Sequence, residues 1–571
     1  MNCRVYILPL ILILLCASFS SKAQIPYPET NFRAPLDIPL VLAGTFGELR
    51  SNHFHAGIDI KTKGIEGFPV IAVEDGYVSR VKTRPGGYGK ALYLTHYNGY
   101  VSVYAHLQGF QVAIANYLLE SQYSKKKFAV DLFPEVGAFK FQKGDTIAWS
   151  GNSGSSTAPH LHFEIRDAKS QQTINPLLFG FKAKDTTPPT FKNIHIYPLN
   201  SQSSINGLND TLRLTVERIS ARNYRLKSDE IKLSGLIGFG VDVFDRLDNA
   251  PNKNGVFSIE FFVDSTLVYK HKMERFSFSE TRYINSLMDY HAKKNYALRP
   301  QKSFKDPNNK LSVYEYLMDE GRLSFDGNGL HLAEYIVKDA EGNASKLSFQ
   351  FTSHTHLDSS DLSISGKSLN HANDYAFENS DLELNIKRNS LYDDINFTYS
   401  RKESSDDFIC DIHSIHKVET PIHSAFSIAI VIDSLKEEYR DKTLICSVSE
   451  KGKISCLSTH WDMDTLLAKS KAFGNFSAVI DTVAPSIKKN VFSSDLSLAE
   501  YMSFTVKDTL SGLGSYNAFV DGEWILMEYD PKSNKLIHYF DGRITEGQHD
   551  LEIIVEDVVK NEKRLHLQFV R

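Results

Sequence analysis

The sequence predicts a mainly β protein: an N-terminal antiparallel-sheet domain followed by β-sandwich domains. Three observations carry this. Short alternating runs bounded by Gly, Asn, Asp and Pro recur from about residue 41 to the C-terminus, as in Lys90-Ala91-Leu92-Tyr93-Leu94-Thr95-His96 and Gly99-Tyr100-Val101-Ser102-Val103-Tyr104-Ala105-His106, and period two is the strand signature. Aromatic residues make up 12% of the chain, with 27 Tyr and 36 Phe, a composition suited to half-buried strands. The length of 571 residues, at roughly 100–200 residues per domain, implies about three to five domains. Helical patterns are few, near residues 112–121 and 286–294.

With 42% hydrophobic and 23% charged residues the chain is neither disordered nor a multi-span membrane protein. Its net charge of −5 names no nucleic-acid or anionic-membrane partner. The start reads as a secretory signal: Arg4 precedes an apolar run from Val5 to Phe19, and Ser21 and Ala23 form a small-residue cleavage site. The mature chain is therefore expected to begin at Gln24, in the periplasm, cell envelope or extracellular space. The bulky Leu15 before Cys16 argues against lipidation there. No later stretch approaches the ~18 apolar residues that span a bilayer.

Two proline-bearing stretches, Asp185-Thr186-Thr187-Pro188-Pro189 and Asp481-Thr482-Val483-Ala484-Pro485, share D-T-x-x-P and mark boundaries. Each is followed by a second likeness: Gly329-Leu330-His331 leads to Asp339 and Asn343, and Gly547-Gln548-His549 leads to Asp557 and Asn561. This is an internal repeat, and its units resemble bacterial immunoglobulin-like sandwiches. The expected division is a signal at 1–23, a first domain at 24–183, a sandwich with an insertion at 184–354, a β-rich module at 355–480 and a sandwich at 481–571. Asp339 with Asn343, and Asp557 with Asn561, have the residue types of calcium ligands, but Asx turns account for their spacing and no metal is assigned to them. Of five cysteines, Cys410, Cys446 and Cys456 outlast the signal; Cys446 and Cys456 flank a Lys451-Gly452 turn, either as a disulfide or as free thiols.

The chemistry lies between residues 52 and 167. In His53-Phe54-His55-Ala56-Gly57-Ile58-Asp59-Ile60, Gly57 and the β-branched Ile58 and Ile60 favour a strand, which sets His55 and Asp59 on one face; His160 and His162 share a face in Pro159-His160-Leu161-His162-Phe163-Glu164. Two adjacent strands would bring His55, Asp59 and one or both of His160 and His162 to one point. Imidazole and carboxylate are good zinc ligands, and three of them leave a fourth position open, as in catalytic sites. His106 in Tyr104-Ala105-His106-Leu107 is a further proton-transfer candidate.

These elements, with Gly67-Phe68-Pro69-Val70-Ile71-Ala72-Val73-Glu74-Asp75-Gly76-Tyr77-Val78, Gly86-Gly87-Tyr88-Gly89, Lys143-Gly144-Asp145 and Gly151-Asn152-Ser153-Gly154, resemble in order and spacing the lysostaphin/LytM-type zinc endopeptidases of bacterial cell walls, over about residues 42–167. The resemblance implies that His55, Asp59 and His162 hold Zn2+, that His106 and His160 act on the water or the tetrahedral intermediate, and that the substrate is a peptidoglycan stem or cross-link peptide, with the sandwiches as wall-docking or protein-docking modules. Ala158 stands where the family usually has Gly, and residues 111–136 form an insertion expected either to wall the cleft or to lie on the surface. His53 and His96 are read as structural and Arg50 as a contact for a substrate carboxylate. Some relatives have lost metal ligands and only activate other hydrolases. That alternative, a non-catalytic wall-binding or hydrolase-activating protein, would be marked by a zinc-free domain, and an extracellular protease on protein substrates would share the chemistry but not the bond.

Overall fold

The computed structural model describes all residues except 1–26, 29–31, 228–229, 249, 356–365, 405–406 and 433; the expected signal segment lies outside the described residues. The chain is mainly β, as its period-two pattern predicts. The N-terminal sheet takes β1 (Leu42–Gly44), β2 (Ile58–Lys61), β3 (Gly76–Thr83), β4 (Ala91–His96), β5 (Tyr100–Ala105), β6 (Val130–Leu132) and β7 (His160–Asp167) in the order β1-β2-β7-β5-β4-β3-β6, with β8 (Thr173–Ile174) on the flank of β7. The central pairing sets the site. β7 runs antiparallel to β2 with His162 opposite Asp59, and to β5 with His162 opposite Ala105. One face buries Ile58, Ile60, Leu161, Phe163 and Ile165, so the alternate residues His160, His162, Glu164 and Arg166 turn to the other face.

The expected helix near residue 112 is α1 (Val112–Lys125), capped by the Gln111 side chain on Ala113 N and closed by Lys126 in the left-handed conformation. The second expected helix is split into Ile284–Leu287 and Tyr290–Tyr296.

A sheet of twelve strands follows, including β9 (Thr190–Pro198), β10 (Lys232–Phe244), β11 (Ser258–Val263), β13 (Gly329–Lys338) and β14 (Ala344–Ser353), around a core of Ile194, Phe239, Phe261 and Tyr335. One short strand from this region leaves it. β12 (Arg275–Phe276) pairs with β8 of the first sheet, Thr173 opposite Phe276. Residues 369–478 then build two five-stranded sheets over one core, and residues from 486 onward two four-stranded sheets over another. In the former, Cys446 stands opposite Cys456 in the ladder, and both are free thiols, as is Cys410.

The boundary expected at 183/184 does not separate the packing. Phe46, Leu49 and Phe54 of the first domain share one buried cluster with Met273, Phe276, Ile284, Leu287 and Met288 of the insertion, while Leu247 and Ala250 join the first domain's own core. An apolar insertion must bury its face somewhere, and here the nearest apolar surface belongs to the preceding domain. Residues 111–136 likewise find a partner that linear reading does not show. They pack against the last domain, with Phe128 clustered with Trp524 and Leu526, Tyr123 donating to Asp541 at 2.8 Å and Arg543 paired with Glu120 at 2.6 Å. They are absent from the cleft lining, so their place is a docking face for the C-terminal domain and not a cleft wall.

Among the described residues no helix is long and apolar enough to cross a membrane.

Candidate metal centre

His55, Asp59 and His162 converge, with one ligand atom of each within 4.8 Å of the others. His55 Nε2 lies 3.0 Å from Asp59 Oδ1 and 3.0 Å from His162 Nδ1, and His162 Nδ1 lies 2.9 Å from Asp59 Oδ1. The opposite ring nitrogens fix the tautomers. His55 Nδ1 is 2.7 Å from the Thr45 carbonyl and His162 Nε2 is 2.9 Å from Glu164 Oε1; each faces an acceptor and therefore carries the proton. The two inward nitrogens are then lone pairs, and with Asp59 Oδ1 they make three acceptors in van der Waals contact. Such a set requires a positive charge between them. In the chain alone that charge is a proton on His162: burial opposes it, but hydrogen bonds to Asp59 and Glu164 and their negative charges raise the imidazole to about 9. A cation fits the same place better, because tetrahedral zinc bonds of about 2.0–2.2 Å put ligand atoms roughly 3.3 Å apart, close to the spacings found. Burial alone would push the Asp59 carboxyl up, yet its histidine neighbours, His55 first and then His160 and His162, hold it well below the carboxylate range.

His106 and His160 line the same cleft. His106 follows β5 with φ of 59°, a left-handed turn rare for a non-glycine residue, which swings its ring back over the site while Nδ1 meets the Ser153 carbonyl at 2.9 Å. Burial, then the neighbouring His162 and His160, lowers it to about 3; it is neutral, with Nε2 unprotonated. His160 Nδ1 meets the Ala158 carbonyl at 2.9 Å, its Nε2 stands 3.4 Å from Asp59 Oδ1, and the rings of His106 and His160 lie 4.8 Å apart between centroids.

Four residues of the site escaped the sequence reading. Glu164, fully buried, orients His162 and is paired to Arg166 at 2.6 Å. Tyr88 donates to Glu164 and stacks on His162 at 5.2 Å, and the Thr45 carbonyl seats His55. The signal was present for two of them, since Glu164 and Arg166 continue the His160, His162 face at period two. Burial works against ionising Glu164, but Arg166, followed by His162, lowers it to about 2, so its stabilisation, complete above the ordinary value near 4.5, is lost only as pH falls towards 2. Glu164→Gln is expected to weaken metal affinity about 10–100-fold and, by leaving Arg166 without its counter-charge, to cost about 3–5 kcal/mol; zinc titration and thermal melts check both.

Arg50 lines the cleft and already has carboxylate partners within the chain. Its Nη2 is held by Asp59 Oδ2 at 2.9 Å and Glu48 Oε2 at 3.1 Å, which makes it a brace for the carboxylate. His96 is buried against Ser102 and the Asp75 carbonyl, and His53 borders the cleft. The cleft, about 1220 Å³, is walled on one side by Asn252, Lys253 and Phe278 from beyond the linker.

The description Peptidase family M23 matches residues 53–122, and Zu5-like domain matches residues 367–481. The DD-carboxypeptidase/endopeptidase Mpg of Neisseria meningitidis is 32% identical over 139 residues, 24% of this chain and 26% of that protein. An uncharacterized metalloprotease of Haemophilus influenzae is 34% identical over 123 residues, 22% and 20% of the two chains. The lysostaphin catalytic domain of Staphylococcus simulans is similar at 23% identity over 25% of this chain and 93% of its own, with a TM-score of 0.19. The N-terminal domain belongs to the LytM-type peptidases of family M23. The chain spans about a quarter of the length of the curated relatives it matches.

Proposed function

We propose that the protein is an exported zinc metallo-endopeptidase that hydrolyses peptide bonds in peptidoglycan stems or cross-links. The observation that carries this is the triad itself: His55 Nε2, Asp59 Oδ1 and His162 Nδ1 converge on one point, with the Thr45 carbonyl, Arg50 and Glu164 as their outer partners, and the imidazoles of His106 and His160 face the same cleft. When bound there, zinc supplies a Lewis acid that polarises a carbonyl and acidifies water.

The chain's own residues do the rest. Thr45 and Glu164 hold the two ligand imidazoles in their tautomers, and Arg50 fixes the Asp59 carboxylate. Nε2 of His106 or His160, each ring having its Nδ1 on a backbone carbonyl, accepts the proton of the attacking water, and the imidazolium so formed donates to the developing oxyanion and then to the leaving nitrogen. Burial keeps His106 ready to accept at any working pH. The cleft, about 1220 Å³, has room for a peptide, and its wall from the second domain, where Arg166 lies 4.5 Å beneath the Phe278 ring, offers a surface for side chains flanking the scissile bond. Such a substrate lies outside the cytoplasm, in agreement with the leader expected at residues 1–23.

Digestion of purified sacculi followed by mass spectrometry of the muropeptides tests this reading. New termini within stem peptides or bridges are expected from the zinc-loaded protein, and none with intact sacculi as the sole product would sink it. His106→Ala and His160→Ala are expected to retain one zinc and to lose about 10²–10⁴-fold in rate; a folded variant that arrives metal-free has lost a ligand instead.

A further inference from the structure

Where the linker leaves the first sheet, three carboxyl groups meet, two of them buried and Asp185 half-buried. Asp185 comes from the D-T-T-P-P stretch, Asp245 follows β10 and Asp339 follows β13, and one oxygen of each lies within 4.8 Å of the other two. Asp245 and Asp339 are 2% and 3% exposed. Asp245 Oδ1, turned into this cluster, has no hydrogen-bond partner, and neither amide atom of Asn254, bridged opposite Asp245, has one. Among the described residues none of the three carboxylates forms an ion pair. A cavity of about 20 Å³ opens beside them, walled by Phe46, Leu247, Val256 and Phe257, room for one body the size of a water molecule.

Burying like charges together without a counter-charge is costly. Burial first, then the negative charge of neighbouring carboxylates, pushes Asp245 up to about 8 and Asp185 up to about 7. The second copy of the motif shows what a satisfied version looks like. Asp481, Asp508 and Asp557 gather in the same way, and the outer pair is held alike in both copies, Asp185 by Thr187 N and Asp339 by Asn343, as Asp481 is by Val483 N and Asp557 by Asn561; the middle carboxylate differs, since Asp508 accepts from Leu510 N and Gly512 N whereas Asp245 Oδ1 has no partner, and Asp481 also gains Ser511 N. In both copies the asparagine amide reaches back to the linker carbonyl, Asn343 to Asp185 at 3.2 Å and Asn561 to Asp481 at 2.9 Å. The fold of the motif is shared; the orphaned, buried oxygen belongs to the first copy.

We propose that Asp185, Asp245 and Asp339 bind one calcium ion at the junction between the peptidase domain and the domain that follows. An all-oxygen, carboxylate-rich set selects a hard cation over zinc. Donors drawn from three separate loops suit the irregular, higher coordination of calcium, whereas magnesium demands near-octahedral geometry and keeps several waters, for which a space of about 20 Å³ has no room. The ion ties the linker to two strand ends of the second domain. It also reaches the catalytic side, because Thr45 and Phe46 wall the same cavity: the Thr45 hydroxyl donates to the Gly255 carbonyl at 3.3 Å while its own carbonyl seats His55.

The test uses the full-length chain, loaded with zinc and freed of calcium on a chelating resin with its zinc content verified. Calorimetric titration with calcium chloride is expected to show one saturable site, and calcium at a hundredfold excess over Kd is expected to raise Tm by about 5 °C or more. Asp245→Asn, nearly isosteric, is expected to abolish both effects while melting in calcium-free buffer no lower than the parent, since it replaces a buried carboxyl whose ionisation its surroundings oppose; Asp508→Asn is expected to keep both. Absence of calcium binding by the unsubstituted protein overturns the site, and that titration stands whether or not any variant folds. An equal response to magnesium at the same concentration overturns the choice of ion, and a calcium response that survives in Asp245→Asn overturns the assignment of ligands.

Discussion

Replacing Asp59 with alanine is expected to abolish both metal binding and hydrolysis. The carboxylate supplies one of three converging acceptors, and without it His55 and His162 turn two lone pairs on each other across a gap that no negative charge completes. Arg50, half-buried, loses the partner that faces the site and leaves positive charge where a cation must sit. Lewis-acid stabilisation amounts to several kcal/mol, so turnover is expected to fall by about 10³-fold or more. Elemental analysis of the purified variant checks the first half and muropeptide release the second. Full zinc occupancy in Asp59→Ala defeats the ligand set even if activity is lost.

A chain ending at Lys182 is expected not to fold stably, although every candidate metal and proton-transfer residue precedes that point. The cut removes β12 from the edge of β8 and strips Met273, Phe276, Ile284, Leu287 and Met288 from Phe46, Leu49 and Phe54. Loss of a single large core side chain costs about 3–5 kcal/mol, and a domain's whole stability is about 5–15 kcal/mol, so removing five apolar partners at once exceeds what the remainder holds. A chain ending after residue 354 retains that cluster and the cleft wall at Asn252, Lys253 and Phe278, and is expected to fold. Solubility, near-UV circular dichroism and thermal melts of the two truncations decide the matter. A cooperative transition in the shorter chain, at a temperature close to that of the longer one, would falsify the dependence.

The mainly β class and the location of the chemistry were legible because both are local. Strand periodicity is written in successive residues, and a metal site assembled from two strands leaves its alternation in each: His55 and Asp59 in one segment, His160 and His162 in the other. Alternation alone left His160 and His162 open, since both share a face; the resemblance chose His162, and the pairing of β7 with β2 sets that residue opposite Asp59. Glu164 and Arg166 lay on that same face, two and four residues on, and could have been read as the outer support of the ligand by extending the alternation. Tyr88 and Thr45 could not, because a ring stacked on His162 and a carbonyl under His55 come from loops whose path no periodicity records.

The role of residues 111–136 and of Arg50 followed the same division. A segment carrying Tyr123 and Phe128 does not say in its own residues what it will pack on; here its partner, with Trp524, lies some 400 residues on. Arg50 carried the residue type of a carboxylate clamp, and the carboxylate it clamps is Asp59 of its own chain.

The sequence by itself determined the strands, the internal D-T-x-x-P repeat and the segments in which the candidate centre lies, because side-chain alternation and motif spacing are properties of the chain. Only the tertiary structure decided which nitrogens carry protons, which apolar faces the domains share and which of two like carboxylate clusters is left with a buried, unpartnered oxygen. Those are matters of what lies within a few ångströms of an atom after folding, and burial in a medium of low polarity is what turns such neighbours into tautomers, shared cores and a demand for a cation.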